Sequence, residues 1–121
     1  VNVFDASALL AYLRGEPGHD VVRAALEAGG SCGAANWSEV AQKVIAAGGD
    51  WQLARALLTS FQLRVEPVTA EDAEQAAADW RRGAGLSLAD RLCLALTERL
   101  GGTALTADGQ WERHPRAQLI R

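Results

Sequence analysis

Apolar and polar positions along the chain fall into short continuous apolar runs and longer runs with helical spacing, and the two kinds alternate. Val1-Asn2-Val3-Phe4 predicts a strand ending at Asp5, and Ser7 through Leu13 an apolar helix that stops before Glu16-Pro17-Gly18. A second helix is expected over 19–28, ended by Gly29-Gly30, and a buried strand of small residues over Ser31–Ala35. Asn36 or Trp37 then opens a helix running through Ala47 and closing at Gly48-Gly49, and Asp50 caps another over 51–60. Leu63–Val68 reads as a strand, and Thr69-Ala70-Glu71-Asp72 as a capping box for a helix to about Arg82. A helix over Leu88–Leu100 stops at Gly101-Gly102, Thr103–Thr106 makes a further strand, and Gln118–Ile120 a last short one.

Strands separated by helices imply βαβ units and a parallel sheet covered on both faces. The expected fold class is therefore α/β, a three-layer α/β/α sandwich around a central parallel sheet of four to five short strands. With no internal repeat, low-complexity tract or Pro/Ser linker, residues 1–121 read as a single domain.

Composition narrows the partners. The two cysteines, Cys32 and Cys93, form no CxxC pair and sit in apolar surroundings, as buried thiols of a reducing compartment do. No long apolar run appears, so a soluble cytoplasmic protein that does not enter membranes is expected; the chain has no Met, so it starts inside its natural N-terminus. A formal charge of −3 argues against coating nucleic acid by bulk positive charge. It leaves room for an enzyme whose acids gather around a metal, because a bound cation reverses the local field. Eleven of the twelve basic residues are Arg, which codon bias explains as well as phosphate binding does.

"LSLADRLCLAL", residues 86–96, reads as a buried helix with a carboxylate set into it. Asp90 is either the acid of a capping box begun by Ser87, or a charge that needs a partner from elsewhere. Ligands of parallel sheets collect beyond the carboxyl ends of the strands. Asp5 directly follows the first strand, Glu39 sits in the first turn of the helix after the second, Asp108 lies two residues past Thr106, and Asp90 reaches the same edge. Taken singly each acid has an ordinary use, as a cap, a first-turn helix acid or a turn residue. Together they form an oxygen-only donor set that suits Mg²⁺ or Mn²⁺ better than Zn²⁺, and Mg²⁺ favours phosphate-bearing substrates. Arg91, the one basic neighbour, is expected to point away from Asp90. There is no GxxxxGK[ST], GxGxxG or GxSxG pattern, and His19 and His114 sit in polar loop contexts without a nucleophile nearby. The four tryptophans read as packing anchors, with Trp111 the one to test for base stacking.

These residues resemble the PIN-domain family and, at this length, VapC-type toxins of bacterial toxin–antitoxin pairs. The resemblance is carried by Val3-Phe4-Asp5-Ala6-Ser7, Glu39 inside "NWSEV", the stretch around Asp90, and "ALTADGQW" around Asp108, and it spans nearly the whole chain. It implies that Asp5, Glu39, Asp90 and Asp108 are the catalytic, metal-binding acids, with Asp108 acting directly or through water and Ser7 and Thr106 as supporting polar groups. It implies Mg²⁺ as cofactor, with Mn²⁺ as a substitute, and endonucleolytic hydrolysis of RNA to 5′-phosphate and 3′-hydroxyl ends by a metal-activated water. Ala6 departs from the Thr or Ser common in the first motif, beside the acid. Partners implied are an RNA substrate, a cognate antitoxin and a second copy in a homodimer. Leu9, Leu10, Tyr12 and Leu13, with Val40, Val44 and Ile45, either belong to the core or form an apolar groove for a partner helix. Two other readings stand beside this one: a Mg²⁺-dependent phosphatase or phospho-acceptor domain, and a catalytically silent interaction module.

Overall fold

Val3 and Phe4 are neighbours on one strand and so point to opposite faces of the sheet, and the two layers of the molecule follow from them. The computed structural model describes all of residues 1–121. Five strands, β1 (Asn2–Phe4), β2 (Gly30–Gly33), β3 (Leu63–Glu66), β4 (Thr103–Thr106) and β5 (Ala117–Leu119), form one sheet in the order β3-β2-β1-β4-β5. Every pairing is parallel, with Val3 opposite Ser31 and Ala104, and Phe4 opposite Leu105. The helices are α1 (Ala6–Arg14), α2 (His19–Ala28), α3 (Ala34–Ala46), α4 (Trp51–Ser60), α5 (Ala70–Ala78) and α6 (Leu88–Leu100). This is the α/β sandwich with a parallel sheet that the sequence pattern predicts.

On one face Phe4, Cys32 and Leu105 pack with Leu9 and Leu10 of α1, Val22 and Leu26 of α2, and Leu58 of α4. On the other, Val3 and Ala104 meet Cys93, Leu94 and Leu96 of α6 together with Trp111. α5 lies outside α6, fastened by the Arg99 guanidinium, which donates from Nε and Nη2 to both oxygens of Asp72 at 3.0 Å. Burial pushes the Asp72 carboxyl up, but these bonds outweigh it and hold the group below its usual range. Gly30 is required where β2 passes β1, since a Cβ there would stand 2.6 Å from the Asn2 carbonyl oxygen and from the Phe4 ring. No helix is long and apolar enough to cross a membrane.

Several boundaries differ from the pattern. β2 ends at Gly33 and α3 begins at Ala34, two or three residues before Asn36 or Trp37, because Ala34-Ala35 favour helix and Gly33 starts it with no side-chain cap. Glu39 therefore stands in the second turn, not the first. β3 stops at Glu66, before Pro67, which has no N–H for the ladder. α5 ends at Ala78 rather than Arg82, closed by Arg81 Nη1 donating to the carbonyls of Ala78 and Trp80. α1 extends one residue beyond Ser7–Leu13 at each end, and β5 runs over 117–119 rather than 118–120. The "LSLADRLCLAL" helix is buried only from Cys93 onward; Leu88 is 57% exposed and Leu86 precedes the helix.

Candidate active site

β1 ends directly at Asp5, whose extended backbone makes it the N-cap of α1, with Oδ1 accepting from the Ala8 amide at 2.8 Å. Ser7 Oγ donates to the same carboxylate at 2.8 and 2.9 Å, and Thr106 Oγ1, at the end of β4, donates to Oδ2 at 2.6 Å. Each hydroxyl is oriented in turn by a backbone donor, Ala107 N–H to Ser7 Oγ at 2.8 Å and Asp108 N–H to Thr106 Oγ1 at 3.0 Å. Capping and site-building are thus one role for Asp5. Asp5 is only 4% exposed, and burial pushes its pKa up to about 6 against the opposing pull of these hydrogen bonds, with the Asp90 charge adding to the rise.

Asp90 is the acid of the capping box begun by Ser87. Ser87 N–H donates to Asp90 Oδ2 at 3.0 Å and Asp90 N–H to Ser87 Oγ at 3.1 Å, a complete capping box. From that position its charge acts on both Asp5 and Glu39. The cap occupies one carboxylate oxygen and leaves the other uncommitted. Ser87→Ala is expected to cost about 1 kcal/mol, a few degrees in melting temperature, with a smaller effect on activity. Cleavage reduced several hundredfold at unchanged melting temperature would place Ser87 in the chemistry instead.

Glu39 is half-buried; burial and then Asp90 raise its pKa, while Lys43, one turn along α3, pulls it down. Lys43 is a cation beside the acids that the sequence pattern did not single out. Asn36 is a second missed residue: 1% exposed, it donates from Nδ2 to Glu39 Oε1 at 3.4 Å and to the Ala89 carbonyl at 3.2 Å, tying α3 to the first turn of α6. Its one available signal was a polar amide three residues before an acid, and so on the same face of the helix. Asp108 caps a single 3-10 turn, Gly109–Trp111, with Oδ1 accepting from Gln110 N–H at 2.9 Å. Arg91 does turn away, donating to the Ala76 carbonyl on α5.

The Asp90 charge thus bears on both Asp5 and Glu39, while Asp108 is tied to Asp5 only through its backbone N–H and the Thr106 hydroxyl, its carboxylate capping the 3-10 turn. None of the four takes part in an ion pair. No three Asp, Glu, His or Cys side chains stand close enough to grip one metal ion. The donor types nevertheless fit a hard cation, since all four candidate residues are carboxylates and three of them accept on one oxygen only. Cys32 and Cys93 are free thiols in the interior, raised by burial and by neighbouring charge, so neither is a nucleophile.

Trp111 is 1% exposed and part of the α6-side core, so it is no stacking platform; a tryptophan following a strand packs inward when the turn folds back on the sheet. Trp37 and Trp51 pack edge to face at 5.2 Å, while Trp80 is half exposed with the Arg82 guanidinium 5.5 Å from its ring. An apolar groove of about 340 Å³ does exist, with a different lining from the expected one: Leu9 and Val40 are core, Ile45 lies outside, and Leu10, Leu13 and Val44 are joined by Leu53 and Leu57 of α4.

A parallel β3-β2-β1-β4-β5 sheet carrying acids at its carboxyl edge defines a class, and the chain belongs to it: the PIN-domain family matches residues 3–117. In fold the chain is similar to a protein of a toxin–antitoxin complex from Klebsiella pneumoniae, at 20% identity and a TM-score of 0.79, covering 100% of this chain and 98% of that one. It is also similar to VapC20 of Mycobacterium tuberculosis, a toxin that cleaves the sarcin–ricin loop, at 21% identity and a TM-score of 0.73, covering 96% of each chain. None of the curated proteins matches it by sequence.

Proposed function

We propose that this PIN domain is a Mg²⁺-dependent endoribonuclease toxin, with Mn²⁺ as a substitute, held in check by a cognate antitoxin. The observation that carries the reading is the Asp5 carboxylate, buried at the end of β1 with the Asp90 charge acting on it and on Glu39, with no Arg or Lys bonded to any of these acids and Lys43 beside Glu39 the one cation bearing on them. Like charges gathered around a buried carboxylate call for a cation. Asp5, Glu39 and Asp90 would hold it, not all three directly but in part through the waters that Mg²⁺ keeps, and Asp108 would join directly or through water. Bound there, a divalent cation supplies a water of lowered pKa and neutralises charge on the phosphate. Ser7 and Thr106 fix the Asp5 carboxylate, the Ser87 amide fixes Asp90, and Asn36 steadies Glu39. Water attacks phosphorus in line, the P–O3′ bond breaks, and the products carry 5′-phosphate and 3′-hydroxyl ends.

Two features support the rest of the reading. VapC20 cleaves the sarcin–ricin loop, and the Klebsiella protein comes from a toxin–antitoxin complex. The groove between α1, α3 and α4 offers an apolar surface for an antitoxin helix, and a homodimer belongs to the same proposal. The phosphatase alternative needs a second acid two residues after the first, where Ser7 is instead bonded to Asp5. Incubating purified protein with RNA in Mn²⁺ or in EDTA, then ligating adaptors to 5′-phosphate ends, tests the function. Cleavage in Mn²⁺ alone with ligatable ends is expected. Equal cleavage in EDTA, or cyclic-phosphate ends, overturns it.

A further inference from the structure

Between α5 and α6 lies a cavity of about 470 Å³ whose polar lining includes Asp79, Arg81, Arg91, Glu98 and His114. None of the four acids lines it, but residues next to two of them along the chain do. Arg91 follows Asp90 on α6, and Leu86, also in the wall, immediately precedes the Ser87 cap. His114 comes from the segment that Asp108 opens, and this segment presses on the loop before α6 so closely that a Cβ at Gly85 would collide with Gln110 Oε1.

The charges in the cavity are unevenly matched. Glu98 is bound by Arg116 Nε at 2.8 Å, and Asp79 accepts from the neutral Gln75 amide at 3.0 Å. Arg91 has no carboxylate partner: Nη1 donates to the Ala76 carbonyl at 2.6 Å, and its buried Nε has no acceptor. Arg81 bonds only to backbone carbonyls. With Glu98 cancelled by Arg116, Arg81 and Arg91 against Asp79 leave one positive charge. In a chain of net charge −3, that places unmatched guanidinium donors beside an acidic cluster. With Nε buried, what Arg91 can offer a phosphate is the Nη end of its guanidinium, a charged donor suited to phosphate oxygens.

We propose that this cavity holds a backbone phosphate of the RNA strand, next to the phosphodiester at the acids, with Arg91 as the principal contact and Arg81 as the second. The proposal rests on the nuclease reading and adds to it the path of the strand along the first turn of α6. It assigns Arg91 to substrate binding rather than to the reaction.

The test uses Asp5→Asn as a background that binds without cutting, with Mg²⁺ present and a short fluorescein-labelled single-stranded RNA as probe. Affinity is read by anisotropy across a range of KCl concentrations. Arg91→Gln is expected to weaken binding about 10-fold, the worth of one charged hydrogen bond. It should also flatten the slope of log affinity against log salt by about 0.7, the value of one phosphate contact on a single strand. Arg91→Lys should keep most of the slope, and Arg81→Gln should act in the same direction as Arg91→Gln. Arg55→Gln on α4 should change neither. Because Arg91 also ties α6 to α5, the exposed Arg81→Gln carries the test if Arg91→Gln melts early. RNA binding whose slope ignores both residues overturns the pocket and leaves the nuclease reading intact. No RNA binding by the background, together with no cleavage by the wild type, overturns both.

Discussion

Asp5→Asn lowers Mn²⁺-dependent RNA cleavage by more than about 100-fold while the protein stays folded. The scale follows from the site: loss of a partner that merely supports a metal ligand commonly costs about 10- to 100-fold, so loss of the ligand's charge costs more. Ser7→Ala and Thr106→Val, which remove hydroxyls donating to Asp5, should fall within that lower range. Asp90→Asn should match Asp5→Asn, because an amide oxygen still accepts from the Ser87 N–H and keeps the cap while the charge is gone. Initial rates measured beside far-UV circular dichroism decide the matter. A folded Asp5→Asn protein cutting at the wild-type rate would end the four-acid reading.

The features legible in the sequence were those with local causes. Asp5 follows a strand, Asp50 and Thr69 start helices, and Ser87 with Asp90 makes a capping box, because each exploits a chain turn whose chemistry is confined to three or four residues. The parallel sheet followed from the alternation of elements. What escaped depended on contacts between distant segments. Asn36 gains its importance from the Ala89 carbonyl, 53 residues away, and nothing in "AANWSEV" announces that neighbour. The burial of Trp111 depends on how the segment after β4 folds against α6. α3 began early because Gly33 offers no side chain to mark the start. The two readings of Asp90 are compatible because a carboxylate has two oxygens: Oδ2 serves the cap, and the charge still bears on Glu39.

The remaining expectation concerns what the Asp5 charge costs the fold. Its pKa rises from 3.8 to about 6, chiefly through burial, so between those values the folded state holds a proton that the unfolded state has lost. That contribution is fully present below pH 4 and is lost as pH rises through 6. At neutral pH the ionised group lowers stability by on the order of 3 kcal/mol, a shift of about two units at 1.36 kcal/mol each. Asp5→Asn removes that cost, and an amide can still accept from Ala8 N–H and bond the hydroxyls of Ser7 and Thr106. In EDTA at pH 7.5 or so the variant should therefore melt several degrees above wild type, and the gap should close as pH falls towards 4. Asp90→Asn should show far less, because the Asp90 charge is the smallest contributor to the Asp5 shift and the variant also loses a favourable charge at a helix N-terminus. Mn²⁺ at about 100 times its dissociation constant should then reverse the order, adding roughly 2.7 kcal/mol to wild type and little to Asp5→Asn. Thermal melts of the three proteins at two pH values, with EDTA and with Mn²⁺, read both effects. A wild type more stable than Asp5→Asn at neutral pH in EDTA would mean that the hydroxyl and amide donors around Asp5 outweigh its burial.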